Sequence, residues 1–258
     1  MLGLTFDPAQ NPRPVASGVG SVTLVGGGPG DPELITVAGL KALLAADVVL
    51  ADHLAPVALL AELDPDVEVI DVAKHPRGEF TAQEVINALL IEKARAGKNV
   101  VRLKGGDGFV FGRGFEEVLA LREADIAVRV IPGLTSPIAV PALAGIPVTN
   151  RGDVHEFTVV SGHVPPGHAA SLIDWDALAR MRGTLVLLMA VEHAPAIAES
   201  LISGGRDAGT PVAIIMNGSQ PDERLVRTSL GEISDVIERE NIRPPAIIVV
   251  GEVVRISA

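Results

Sequence analysis

Val100-Val101-Arg102-Leu103-Lys104-Gly105-Gly106-Asp107-Gly108-Phe109-Val110-Phe111-Gly112-Arg113-Gly114 is a short apolar run that ends abruptly in glycine. Five glycines fall within the ten residues 105–114. Backbone so dense in glycine either approaches another group closely or adopts dihedrals that a Cβ forbids. An acid, Asp107, and two cations, Lys104 and Arg113, are set among those glycines. A loop that only reverses the chain has no need of that mixture, whereas a loop that holds a polar small molecule does.

The same unit recurs on either side. Val22–Val25 runs into Gly26-Gly27-Gly28-Pro29-Gly30-Asp31-Pro32 and then a helical pattern over Thr36–Ala46. Val48–Leu50 and Val67–Val72 read as strands. Ala82–Ala96 has Val85, Ile86, Leu89, Leu90 and Ala94 at helical spacing, and Thr81 with Glu84 three residues on resembles a capping box. After the strand at Val100–Leu103 come a helix over Glu116–Glu123, a strand over Val128–Ile131 and a small-residue helix over Ser136–Ala144. Strands that are apolar throughout, separated by helices, imply a parallel sheet covered on both faces. Ligands of such sheets sit at the carboxyl ends of the strands, where the glycine clusters 26–30 and 105–114 both lie.

The pattern changes at Gly145–Asp153, which has turn residues and no periodicity, so the expected domain boundary falls there. The expectation is a short extension over 1–20, an N-terminal parallel-sheet α/β domain over 21–148 and a C-terminal mixed α/β domain over 149–258. The second domain carries strands at Phe157–Val160, Thr184–Ala190, Pro211–Met216, Leu225–Ser229 and Ala246–Val250, with a hairpin joining those near 214 and 226. Helices are expected around Trp175–Arg180, Ala194–Leu201 and Ile233–Glu238.

Composition narrows the function. Of the 258 residues, 48% are hydrophobic but only 3% aromatic, so Val, Leu, Ile and Ala build the core and platforms for stacking bases are scarce. A net charge of −11 and a pI near 5.0 argue against a nucleic-acid backbone as partner. An anionic small molecule stays possible, since it needs only a local basic pocket. Cysteine is absent, which removes thiol catalysis, disulfides and cysteine-ligated metal. No apolar run approaches the roughly 20 residues that span a bilayer, and the opening residues lack the pattern of a signal peptide. The expectation is a cytoplasmic protein with neither membrane nor nucleic-acid partner.

Each motif has a plainer alternative. Gly26–Pro32 departs from a dinucleotide loop, because Asp31 stands where the third glycine belongs and Pro29 stiffens the turn. Thr135 or Ser136, after Val130-Ile131-Pro132-Gly133-Leu134, serves equally as a helix N-cap or as a ligand contact. His163 and His168 have no carboxylate at ligand spacing, so no metal is expected.

Taken together, V-T-L-V-G-G-G-P-G-D-P-E-L-I-T at Val22, the run at Val100, V-I-P-G-L-T-S-P at Val130 and A-G-I-P-V-T-N-R-G at Ala144 resemble the tetrapyrrole methylases. The likeness extends from about residue 21 to 252 and is strongest to members that methylate uroporphyrinogen III. It implies two α/β domains with S-adenosylmethionine in the cleft between them, S-adenosylhomocysteine as product, a tetrapyrrole substrate and a homodimer. By motif, the implied cofactor contacts are Pro29, Gly105, Gly106, Asp107, Val110, Thr135, Ser136, Met189, Gly218 and Ala246. Asp52 and Lys74 match the family's proton acceptor and donor, and Arg113 joins them as a catalytic candidate. Arg113, Glu116 and Arg151 match positions that face the substrate. The chain departs from the family pattern at Ala51, His53, Gly108, Phe115 and Asn150. A later precorrin methyltransferase of the same fold and a non-catalytic ligand-binding homologue are the alternative readings.

Overall fold

The structure, a computed structural model, describes residues 18–72 and 81–256. It divides into two compact units between Leu134 and Thr135.

The first unit is built on five parallel strands, β1 (Ser21–Gly26), β2 (Val48–Ala51), β3 (Glu68–Asp71), β4 (Asn99–Lys104) and β5 (Ala127–Ile131), in the order β3-β2-β4-β1-β5. Alternate side chains on these strands serve opposite layers. Val22, Leu24, Val48, Leu50 and Val100 pack under α2 (Gln83–Arg95) and α3 (Gly114–Glu123), through Ile86, Leu90, Ala94, Val118 and Leu121. Val25, Val49, Ala51, Val101 and Leu103 pack on the other face with Leu43 of α1 (Val37–Leu44) and Leu59. Burial on both faces is why the interior strand β2 reads as an unbroken apolar run, whereas the edge strands β3 and β5 are largely exposed and carry charges. Thr36 caps α1 by accepting from the Gly39 N–H at 3.0 Å. A Cβ at Gly39 would lie 2.9 Å from Val25 Cγ1, so glycine lets α1 settle against β1.

One local expectation is corrected. The N-cap of α2 is Ala82, and no side chain caps it. The helix begins one residue too late for Thr81 and Glu84 to form a capping box. The buried stripe is Ile86, Leu90 and Ala94, while Val85 stays half exposed.

The second unit carries α4 (Ser136–Leu143), β6 (Phe157–Ser161), α5 (Trp175–Arg180), β7 (Thr184–Leu188), α6 (Ala194–Ser203), β8 (Pro211–Met216), β9 (Arg224–Ser229), α7 (Ile233–Arg239), β10 (Ala246–Val250) and α8 (Val253–Ile256). Its sheet order is β6-β7-β10-β8-β9. Only β6 and β7 run parallel; the other neighbours are antiparallel. The expected hairpin is β8–β9, with Ile214 opposite Val226. Because α4 packs on β10 and β7, it belongs to the second unit. The division therefore falls earlier than the turn-rich stretch 145–153 suggested. Buried Arg206 donates from Nη2 to the carbonyls of Leu178 and Met181, which tethers the end of α5. Burial lowers the pKa of its guanidinium from the usual value. Among the described residues, no helix is long and apolar enough to cross a membrane.

Candidate active site

In the first unit the loops that follow β1, β4 and β5 meet. Gly28 and Gly106 exchange backbone hydrogen bonds, N–H to O at 3.1 Å one way and 2.6 Å the other. A Cβ on Gly133 would sit 2.2 Å from the Gly106 carbonyl oxygen, and one on Gly26 would sit 2.4 Å from the Gly133 nitrogen. Gly105 is pressed against Leu54, whose carbonyl oxygen lies 2.6 Å from the position of its missing Cβ. The glycines of the opening stretch thus bring backbone close to backbone. The close approach inferred from composition is real, and its partner is the protein itself.

Asp107 secures this junction. Its Oδ1 accepts from the Phe109 N–H at 2.9 Å and its Oδ2 from the Gly133 N–H at 3.0 Å. Each oxygen keeps a second lone pair, and the residue is only part-buried. Gly108 is buried, and a Cβ there would meet only Lys104 side-chain carbons, the nearest at 3.3 Å. Its carbonyl accepts from the Gly114 N–H at 2.9 Å, which closes the loop ahead of α3. Pro29 and Val110 are part-buried beside these turns in sequence.

Asp52 follows β2 directly, and its N–H donates to the Leu103 carbonyl of β4 at 3.0 Å. Its side chain is 30% exposed. Arg102 Nη2 donates to Asp52 Oδ1 at 2.5 Å, and Lys104 Nζ lies 3.7 Å from Oδ2. Both cations project from β4 on the α3 side and are buried. Arg102 and Glu117 were not among the residues that sequence pointed to. The available signal was a charge inside an apolar strand, which is costly unless paired.

Arg113 stands at the N-cap of α3 with φ 56°. A non-glycine residue there carries strain of about 1–3 kcal/mol, a feature that clusters at functional sites. Its guanidinium meets Glu116 in a two-pronged pair, Nε to Oε1 at 2.9 Å and Nη2 to Oε2 at 2.7 Å. Both side chains are about half exposed. The hydrogen bond from Arg113 holds the Glu116 carboxyl below its ordinary pKa, and the same bond raises that of Arg113. Lys74 lies outside the described residues.

In the second unit, Met189, Gly218 and Ala246 gather at one edge of the sheet. Met189 follows β7, Gly218 comes two residues after β8, and Ala246 opens antiparallel β10 opposite Met216. Met189 and Asn217 have φ of 53° and 48°, so both strands end in left-handed residues. A Cβ on Gly218 would lie 2.3 Å from Val140 Cγ1 of α4. Thr135 occupies the N-cap of α4, yet its side chain makes no capping hydrogen bond. Arg151 is exposed in a turn closed by the Asn150–Val154 bridge. Elsewhere in the unit, His163 Nδ1 is 3.1 Å from Ser161 Oγ, and His168 Nδ1 accepts from the Ala170 N–H.

A parallel sheet with glycine loops and a held carboxylate at its carboxyl edge, followed by a mixed five-stranded unit, defines a class. The model of the Tetrapyrrole (Corrin/Porphyrin) Methylases matches residues 21–234, and the chain belongs to that family. It is 48% identical over 238 residues to the uroporphyrinogen-III C-methyltransferase of Methanocaldococcus jannaschii, covering 92% of this chain and 98% of that one. It is 46% identical over 240 residues to the enzyme of the same description from Priestia megaterium, covering 93% and 100%. The crystal structure of uroporphyrin-III C-methyl transferase from Thermus thermophilus, complexed with S-adenyl homocysteine, superposes with a TM-score of 0.78 at 42% identity, covering 92% and 100%.

Proposed function

We propose that this protein is an S-adenosylmethionine-dependent C-methyltransferase that methylates uroporphyrinogen III twice to give precorrin-2, the branch toward sirohaem and cobalamin. The observation that carries the reading is the close likeness to uroporphyrinogen-III methyltransferases along almost the whole chain. A homodimer is part of the proposal.

The donor set suits the cofactor. Asp107 has lone pairs left for a ribose hydroxyl or an ammonium, and Thr135 offers a hydroxyl not spent on its helix. With them, Pro29, Gly105, Gly106, Val110, Ser136, Met189, Gly218 and Ala246 are the proposed contacts. When bound, S-adenosylmethionine supplies an electrophilic methyl on a sulfonium sulfur. The residues' work is then alignment and exclusion of water. A pyrrole carbon that gains a methyl leaves the macrocycle cationic, and a proton must leave. Asp52, part-exposed and gripped by Arg102, is the proposed group that stabilises that charge and takes the proton. Lys74 is the proposed donor. Arg113 and Arg151 are the proposed clamps for the substrate's carboxylates, a role for which a guanidinium fork is better shaped than an ammonium. Glu116 holds the Arg113 fork in the meantime, so a substrate carboxylate would compete with it for the same donors.

The test is incubation of the protein with uroporphyrinogen III and S-adenosylmethionine, with product mass and S-adenosylhomocysteine followed together. Two added methyls are expected. Product from a later precorrin alone would assign the other methyltransferase reading, and no turnover with any precorrin would assign a non-catalytic binder. Separately, Asp107→Asn is expected to weaken S-adenosylmethionine binding by roughly tenfold or more, the scale of a lost hydrogen bond to a charged group. Calorimetry showing unchanged affinity would remove Asp107 from the cofactor set.

A further inference from the structure

Glu117 has no part in the reaction described above, yet it is fully buried. Its Oε1 accepts three hydrogen bonds, from Arg102 Nε at 3.2 Å, Lys104 Nζ at 2.9 Å and Gln83 Nε2 at 3.2 Å. Its Oε2 has no partner among the described residues. Burying ion pairs seldom stabilises a fold more than apolar side chains of the same volume would. A buried oxygen left without a donor adds a further cost. Stability alone therefore gives this cluster little reason to exist.

The geometry of the cluster points outward. The two cations that Glu117 holds from behind are the two that reach Asp52 in front. Arg102 grips Oδ1 with Nη2 while its Nε stays on Glu117. Lys104 faces Oδ2 from 3.7 Å while its Nζ is 2.9 Å from Glu117. Arg102 is fixed further by donating from Nη1 to the Leu50 and Leu103 carbonyls, at 3.3 and 3.2 Å. The four side chains carry two positive and two negative charges. Without Glu117, two buried cations would converge on one carboxylate.

We infer that Glu117 is a positioning residue for Asp52: through Arg102 and Lys104 it aims one cation at each carboxylate oxygen and fixes the rotamer in which the proton is received. The inference rests on the functional reading of Asp52 above. It adds a layer that never touches the substrate.

The experiment uses the full chain and the variants Glu117→Gln, Asp52→Asn and their double. Turnover is measured with uroporphyrinogen III, S-adenosylmethionine affinity by calorimetry, and the Asp52 side-chain carboxyl ¹³C resonance in the ligand-free protein. Glu117→Gln is expected to lower kcat, by up to about a hundredfold, as for a misplaced reacting group. It should leave cofactor affinity unchanged and move the Asp52 resonance. In the Asp52→Asn background it should cause no further loss of kcat, because the path it acts through is already gone. An unmoved resonance, an unchanged kcat, or losses that multiply in the double variant each overturn the inference. If Glu117→Gln does not fold, Lys104→Met, which removes the cation facing Oδ2, takes its place with the same expectations. A wild-type protein that makes no methylated product overturns the functional reading as well. Product from the wild type with an unimpaired variant overturns this inference alone.

Discussion

Asp52→Asn is expected to lower kcat by about 100- to 10,000-fold, the span of a positioned proton acceptor, while S-adenosylmethionine binds as before. The substitution is nearly isosteric. Asparagine still offers an oxygen to Arg102 Nη2, so the local shape is kept and the charge is removed. The loss should appear in kcat more than in KM, because Asp52 is proposed to act on the charge that develops after methylation begins. Some stability will go too, since Arg102 and Lys104 then face Glu117 as the only carboxylate of the cluster. A thermal scan alongside the kinetics separates the two effects. A kcat within about threefold of the wild type, far short of a general base's usual contribution, would remove Asp52 from the chemistry.

Gly133→Ala carries the second large effect, on the fold. The added methyl would lie 2.2 Å from the Gly106 oxygen and 2.5 Å from the Gly26 carbonyl carbon, with backbone on both sides and no flexible side chain to yield. Overpacking of this kind costs about 1–3 kcal/mol, and it would also push the Gly133 N–H away from Asp107. Gly145→Ala is the matched control. Its φ of +72° strains any side chain, but nothing lies within 4 Å of the new methyl. Gly133→Ala should unfold at a lower temperature than Gly145→Ala and bind S-adenosylmethionine more weakly. If Gly133→Ala melts no earlier than the control, the three-loop junction is looser than its distances imply.

Much of the fold was legible because burial on both faces leaves a plain mark. A strand such as Val48–Ala51, covered above and below, has no polar positions to interrupt it. The glycines were legible as sites of close approach, but composition cannot say what approaches. Gly26, Gly106 and Gly133 stand far apart in sequence and meet only once the parallel order β4-β1-β5 sets their loops side by side. The Arg102–Glu117 pair was missed for a related reason. A charge in a strand and a charge in the following helix, 15 residues on, pair only if the crossover returns that helix to the same face. The capping box failed on local backbone: one residue's difference in where α2 starts puts Thr81 out of register. The unit division moved because α4 is apolar on most sides, and sequence alone does not say which sheet receives it.

The mutual bonding of the three loops bears on how this scaffold can be varied. Gly28 with Gly106, Gly26 with Gly133, and Asp107 with Gly133 form seams between segments that are distant along the chain. A chimera that imports the segment around 105–109 from a homologue brings a new surface to both neighbours at once. Exchange of specificity by loop grafting therefore has to move 26–30, 105–109 and 132–134 as a set. Of the helices between them, α3 has to keep Glu116 and Glu117, which hold Arg113 and the Arg102–Lys104 pair.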